Sequence, residues 1–403
     1  MRVPRVLLAG AASLTLVLTA CTTDDPEGAP GAADGGQEGS LTPDAEWFDQ
    51  AEFDTQLAQR DITPEGPEDE PWMQAIEPEW IDTSEFAIDD PEDATVCFSN
   101  ASVSNPWRVT GFITMEQQVE ELVEEGRIGD FRSSDAADDD NQQISDIQAF
   151  VDAGDCDAII ISPSTTATLT PAVETACESG VPVIVFDRGV NSDCMVTFIH
   201  PIGGYAYGAD AADFLVENLD PGSTVLALRI LPGVDVLEHR WAAAQQVFGE
   251  SELEVLGFEF TEGDGAQIKD LVSQHLQRGD VDGIWMDAGD GAVAGLEAFE
   301  DAGRPYPVIS GEDELSFMRK WDEEDLTAIA PVYSNFQWRT PVIAAGMILA
   351  GEEVPAEWVL PQEPIREDEL DDYLERNSAM PSLHYAKFGG EDLPGFPEAW
   401  VDR

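Results

Sequence analysis

The feature that most limits the folds open to this chain is a series of short, uninterrupted apolar runs that begins at Ala94. "TVCFSN", "IGDFRSS", "DAIIISP", "VPVIVFDR" and "MVTFIH" come first, then "TVLALRI", "EVLGFEF", "DGIWMDA", "YPVISGED" and "TAIAPVY". Runs rich in β-branched residues that do not alternate with polar ones need cover on both faces, the mark of buried parallel strands. Helical stretches separate them. One runs from about Trp107 to Glu125 with Met115, Val119 and Leu122 at three-to-four spacing, and another places Ile144, Ile147 and Val151 on one face. Gly154, Gly180 and Gly303 stand where helix C-caps belong. At 403 residues the chain exceeds what a single core usually fills. The alternation therefore predicts an α/β protein of two doubly wound, Rossmann-like lobes in tandem. We place the first lobe at 94–201 plus 334–358 and the second at 202–333 plus 359–375.

The two ends differ from this body. Arg2 and Arg5 precede an apolar stretch from Val6 to about Ala20, too short to span a bilayer and shaped like a signal peptide, assigned to residues 1–20. It runs into Leu18-Thr19-Ala20-Cys21, which resembles a bacterial lipobox and implies cleavage before Cys21 and a lipid on its sulfur. Residues 21–42 read as an acidic, flexible tether. Residues 43–93 carry Trp47, Phe48, Phe53, Trp72, Trp80 and Phe86, too aromatic for a linker, and are expected to pack on the body after a helix that opens near Thr42-Pro43. Residues 376–403 form a C-terminal extension. No second apolar run is long enough to span a membrane, so contact with the membrane is expected through the N-terminal lipid alone.

Composition excludes some partners. Against 82 Asp plus Glu there are only 19 Lys plus Arg, a net charge of −63, which opposes binding to nucleic acid or anionic membrane surfaces. Such acidity fits either adaptation to salt or a biased genome, and it identifies no ligand. An exported chain can keep disulfides. Cys97, inside an apolar run, reads as a buried free thiol. Any bridge is then expected between two of Cys156, Cys177 and Cys194, with Cys177–Cys194 a candidate pair.

Catalytic signatures are weak. The four histidines are scattered, no zinc, P-loop or serine-elbow motif occurs, and acidic pairs are too common to single out a glycosidase dyad. No metal or cofactor is expected. More coherent are the polar side chains at strand ends: Asn105, Trp107 and Arg108 on the turn "SNPWR", Asp187 and Arg188, Arg240, Asp287, and Glu312 with Asp313. Strand carboxyl ends face the crevice in doubly wound sheets, so these residues should converge. Asn, Asp and Arg suit vicinal hydroxyls, and an indole suits the C–H face of a sugar ring. Each residue has a duller role to set against this: Asp187–Arg188 as a local ion pair or helix-capping group, Trp107 as packing, Arg240 paired with Glu238 or another nearby carboxylate, Asp287 and Asp313 as helix caps.

The stretches "FSNASVSNPWRV", "QQISDIQAFVDAGDCDAIIISPSTTATLTPAVETACESGVPVIVFDR" and "DGIWMDAGDGAVAGLEAFEDAG" resemble the periplasmic sugar-binding proteins of bacterial ABC transporters, of the ribose- and galactose-binding type. The likeness covers about 94–355 and implies the type 1 periplasmic binding protein fold. Carried over by position, it implies ligand contacts at Asn105, Trp107, Arg108, Asp187, Arg188, Arg240 and Asp313. Ala288-Gly289 stands where the family often has Asn-Asp, so Asp287 or Asp290 would substitute, and Tyr333 lies where a glutamine is common. Hinges are implied near His200–Gly203, Tyr333–Phe336 and about Pro355–Leu360. The resemblance implies a monomeric, extracytoplasmic lipoprotein with no catalytic activity, which captures a monosaccharide or polyol by hinge closure and delivers it to an ABC permease. A lipoprotein presenting a sugar or furanone-type signal to a sensor, and an extracellular glycosidase, are the competing readings.

Overall fold

In the computed structural model, which describes residues 41–289, 291–396 and 398–401, two parallel sheets carry the body. Among the described residues, helix α1 (Gln50–Gln59) and strand β1 (Trp80–Ile81) come first. The first alternation is β2 (Thr95–Asn100), α2 (Pro106–Glu124), β3 (Asp130–Asp135), α3 (Asp140–Ala153), β4 (Ala158–Ser162), α4 (Thr166–Glu178), β5 (Val183–Phe186) and β6 (Thr197–Pro201). The second is α5 (Gly204–Asn218), β7 (Thr224–Arg229), α6 (Asp235–Gly249), β8 (Glu254–Phe260), α7 (Gly265–Arg278), β9 (Gly283–Met286), α8 (Ala292–Ala302), β10 (Val308–Ser310), α9 (Leu315–Glu324) and β11 (Ala328–Ile329). Then α10 (Thr340–Leu349), β12 (Val354–Pro355) and β13 (Glu357–Leu360) return to the first lobe, and α11 (Glu367–Arg376) and α12 (Glu398–Val401) close the chain.

The first sheet has the order β13-β6-β5-β4-β2-β3 and the second β11-β10-β9-β7-β8, with every pairing parallel. Strand order reverses between β2 and β4 in one lobe and between β7 and β9 in the other, so each sheet has one switch point where a crevice opens. Full burial of Ile159–Ile161 and Val183–Phe186 explains their uninterrupted apolar sequence. Helix α2 starts where Asn105, extended at φ −132°, accepts a hydrogen bond from Arg108 N ahead of Pro106. It buries Ile113, Met115, Val119 and Leu122.

Three features differ from the sequence reading, and a fourth adds to it. The first helix begins at Gln50, capped by Asp49 onto Ala51 N and Glu52 N, and buries Phe53 and Gln56; Thr42-Pro43 starts no helix. Strand β13 pairs with β6 up to Leu360, so the first lobe extends past residue 358 and the third crossing falls near Pro361–Gln362. Cys97 is bonded to Cys156, because the β2–β4 pairing brings the loop before β4 against β2; Cys177 is bonded to Cys194. The C-terminal extension touches both lobes through its described residues: Ala386 N bonds Asp313 O, and Phe336 N bonds Lys387 O.

The segment 43–93 also lies on both lobes. Phe48 and Phe53 pack on Tyr205 of α5, with ring centroids 5.7 and 5.9 Å away, whereas β1 pairs with β12. Among the described residues no helix is long and apolar enough to cross a membrane. The signal-peptide, tether and Cys21 assignments fall outside the described residues, apart from Leu41 and Thr42.

Candidate functional site

The carboxyl ends of β2, β4, β5, β7, β9 and β10 bring one connected set of polar side chains between the lobes. Arg108, on the first turn of α2, is 3% exposed, and its Nη2 lies 2.9 Å from Asp187 Oδ2. Asp187 follows β5 with φ +70°, a conformation that few residues but Gly, Asn and Asp adopt readily. That turn lifts its carboxylate out of the sheet toward α2. Asp187 thus pairs with Arg108 rather than with its neighbour Arg188, whose Nη1 donates to Ser164 O at 2.6 Å. Burial and the adjacent Arg108 charge pull the Arg188 pKa down.

Tyr333, on the crossing between β11 and α10, ties the wall together. Its hydroxyl donates to Asp187 O at 2.9 Å, and its own carbonyl accepts from Trp107 Nε1 at 2.8 Å. Burial pushes its phenol pKa up, so it stays a donor. The Trp107 indole is half-buried and lies 5.8 Å from the Tyr333 ring, centroid to centroid.

The second lobe supplies Arg240, 4% exposed, from α6. Its guanidinium lies 3.8 Å above the Tyr207 ring and 5.1 Å from that of Tyr333, so it faces the first lobe. It bonds Asp287 O and lies 3.4 Å from Glu312 Oε1. Of the carboxylates the sequence offers it, Arg240 thus lies beside Glu312, whereas Glu238 holds Arg229 at 2.6 Å. Asp287 caps no helix: its Oδ1 accepts from Ile230 N at 2.8 Å, and Oδ2 lies 3.7 Å from Arg229 Nε. Arg108 Nη1, Arg240 Nε and Asp287 Oδ2 are buried without a hydrogen-bond partner. Thr166 Oγ1 of α4 donates to Asp235 Oδ2 of α6 at 2.8 Å, so the lobes touch at the mouth of the cleft.

The structure therefore gathers Asn105, Trp107, Arg108, Asp187, Arg188, Arg240, Asp287 and Tyr333. Asn105 enters as the cap of α2. Asp313 departs from the set: its Oδ2 accepts from Lys387 N at 2.6 Å, and it caps no helix. Asp290 lies outside the described residues. Sequence reasoning missed Tyr207 and Arg229. "GGYAYGAD" after the first crossing was the only available signal for Tyr207, and Arg229, the last residue of β7, shared the strand-end position used to select the others.

Buried acids here and at the hinge hold protons tightly. Burial pushes Asp287 and Asp313 up to about 7 and Asp210 up to about 6, and it raises Glu312 as well. Their folded pKa values exceed the unfolded ones, so the stability they confer is complete below about pH 4 and is lost as pH rises through about 6–7. Melting temperature should accordingly fall between about pH 4.5 and 8, even in about 1 M salt, which screens the general charge repulsion. A melting temperature that climbed across this window would contradict the burial of these acids.

Comparison with known proteins follows the same outline. The periplasmic binding protein domain family matches residues 96–346. The ribose import binding protein of Bacillus subtilis (strain 168) is 23% identical over 278 residues, 69% of this chain and 88% of that protein. Its namesake from Escherichia coli (strain K12) is 25% identical over 207 residues, 50% of this chain and 68% of that one. Among solved structures, an ABC transporter solute binding protein from Thermobispora bispora shares 21% identity at TM-score 0.65, covering 75% of this chain and 95% of the other. A periplasmic ribose ABC transporter protein from Conexibacter woesei gives 21% and 0.62, covering 71% and 96%.

Proposed function

Because the chain belongs to the periplasmic binding protein domain family, a family of solute-binding proteins and not of enzymes, we propose that it captures a monosaccharide or related polyol between its lobes. Closure of the hinge then presents the loaded form to an ABC permease, and a lipid on Cys21 holds the protein at the outer face of the cell membrane. Both curated relatives are ribose import binding proteins, which supports the sugar class.

The observation that carries this reading is the buried Arg108–Asp187 pair beside the half-buried Trp107 ring, with Arg240 facing it from the other lobe. Fixed guanidinium and carboxylate groups match paired hydroxyls, and the indole offers an apolar face to the ring carbons. The same contacts count against glycoside cleavage. The Asp187 carboxylate is held 2.9 Å from the Arg108 guanidinium and is thereby placed as an acceptor for hydroxyls, not as a proton donor to a leaving group.

A thermal-shift screen of pentoses, hexoses, inositols and other polyols tests the reading. One of them should raise the melting temperature progressively with concentration, and incubation should leave that sugar chemically intact. No shift with any member of the panel would remove the proposal, and turnover of a glycoside would replace it.

A further inference from the structure

We infer that two segments outside the family's span act as straps across the hinge, holding the lobes near closure and narrowing the angle through which the ligand-free protein opens. This inference rests on the hinge-closure reading above but not on the ligand being a sugar.

The chain crosses between the lobes at Pro201–Gly203, Val332–Ser334 and Pro361–Gln362. Gln362 clasps the first crossing to the third, its Oε1 accepting from Gly203 N at 2.7 Å and its Nε2 donating to Gly203 O at 3.1 Å. Two further crossings lie outside residues 96–346.

The N-terminal strap is anchored on the second lobe through α1. Gln56 Oε1 accepts from Tyr205 N at 2.9 Å, and Arg60 Nη1 lies 2.6 Å from Asp210 Oδ1, both on α5. Its other anchor is on the first lobe, where Ile76 N bonds Val359 O, Trp358 Nε1 bonds Gln74 O, and Thr340 Oγ1 bonds Trp72 O. Little chain is free between these anchors. Asp61 N and Ile62 N still bond to Ala58 O and Gln59 O, whereas Glu65 and Ala75 exchange two backbone hydrogen bonds of 2.7 and 2.8 Å. Only Thr63 and Pro64 remain, so the reach from Ile62 to Glu65 is no more than about 11 Å.

The C-terminal strap is shorter still. Ala386 N and Lys387 N bond Asp313 O and Asp313 Oδ2 on the second lobe. Lys387 O accepts from Phe336 N, and Gly389 O accepts from Arg339 Nη1, on the first. The lobes are thus bridged within residues 386–389. The two straps meet at Arg339, whose guanidinium lies 3.5 Å over the Trp72 ring. A Cβ on Gly389, at φ +63°, would come within 2.7 Å of that ring, so the contact requires glycine. The groove of about 1070 Å³ between the straps is walled by Thr63, Pro64, Trp72, Ser334, Glu363 and Gly389. Rotation about the hinge must distort this groove and stretch both straps at once.

The test is small-angle X-ray scattering of ligand-free protein, which needs no knowledge of the ligand. Intact protein should scatter as this structure does, with its lobes in contact at Thr166 and Asp235. A variant with a flexible Gly-Ser insertion between Thr63 and Pro64 together with Asp313→Ala should show a larger radius of gyration while melting cooperatively. Each change made singly should give a smaller increase. An intact protein that is already open in solution would overturn the inference. So would a folded double variant with an unchanged radius of gyration. If the double variant fails to fold, the scattering of the intact protein decides alone. Failure here leaves the sugar screen untouched, and failure of that screen leaves this result standing.

Discussion

Arg108→Ala is expected to lower the stability of the protein by about 3–5 kcal/mol and to abolish ligand binding. Both members of the Arg108–Asp187 pair are over nine-tenths buried and 2.9 Å apart. Removing the guanidinium strands a carboxylate in a low-dielectric site, where Ser162 Oγ at 3.4 Å is a weak substitute. Arg188 cannot simply replace it, because its Nη1 is committed to Ser164 O and its charge is already strained by burial. The stranded charge, and not the absence of one contact, supplies most of the loss. Adding Asp187→Asn to Arg108→Ala should therefore recover part of the stability while binding stays lost. Denaturant midpoints of the two single variants and the double variant measure this. A loss under about 1 kcal/mol would place the pair among exposed ion pairs and detach it from the site.

Much of this arrangement was legible because it follows from strand chemistry. "AIIIS" and "VIVF" are buried on both faces, so their uninterrupted apolar character announced parallel strands and, with the intervening helices, the crevice at their carboxyl ends. That reasoning brought Arg108, Asp187 and Arg240 to one place without any knowledge of distances. It could not assign partners. Asp187 and Arg188 are adjacent in sequence, yet the positive φ of Asp187 turns its carboxylate toward Arg108, 79 residues away. A single residue's backbone conformation leaves no pattern in the neighbouring letters.

Asp313 shows a second kind of opacity. It follows β10, as a cleft residue should, but its carboxylate is consumed by the backbone N–H of Lys387. Backbone donors look alike in every sequence, so a strap that uses them is invisible until the chain is folded. Tyr207 was missed for a related reason. Its phenol ring is fully buried, and the guanidinium of Arg240 lying across it marks the ring as part of the site. Residues that act by supporting backbone or another side chain carry no motif of their own, and here they include Gln56, on the Tyr205 backbone N–H, and Arg60, on Asp210.

The larger of two disulfide effects should come from Cys97–Cys156. Its partners are separated by 59 residues, against 17 for Cys177–Cys194. In the chain-entropy account, loops of these lengths restrict the unfolded ensemble by about 4 and about 3 kcal/mol respectively. Cys97 read as a free thiol because its neighbours in "TVCFSN" are apolar, but the reversal of strand order sets β2 beside β4 and delivers Cys156 to it. Replacing Cys97 and Cys156 together by alanine should shift the denaturant midpoint further than replacing Cys177 and Cys194. The reverse ranking would mean that strain or residual structure in the unfolded chain outweighs loop length. Losing both bridges removes about 7 kcal/mol, comparable to the whole stability of an ordinary domain, about 5–15 kcal/mol. The fully reduced chain should then be largely unfolded at growth temperature, so its native state depends on folding in an oxidising compartment.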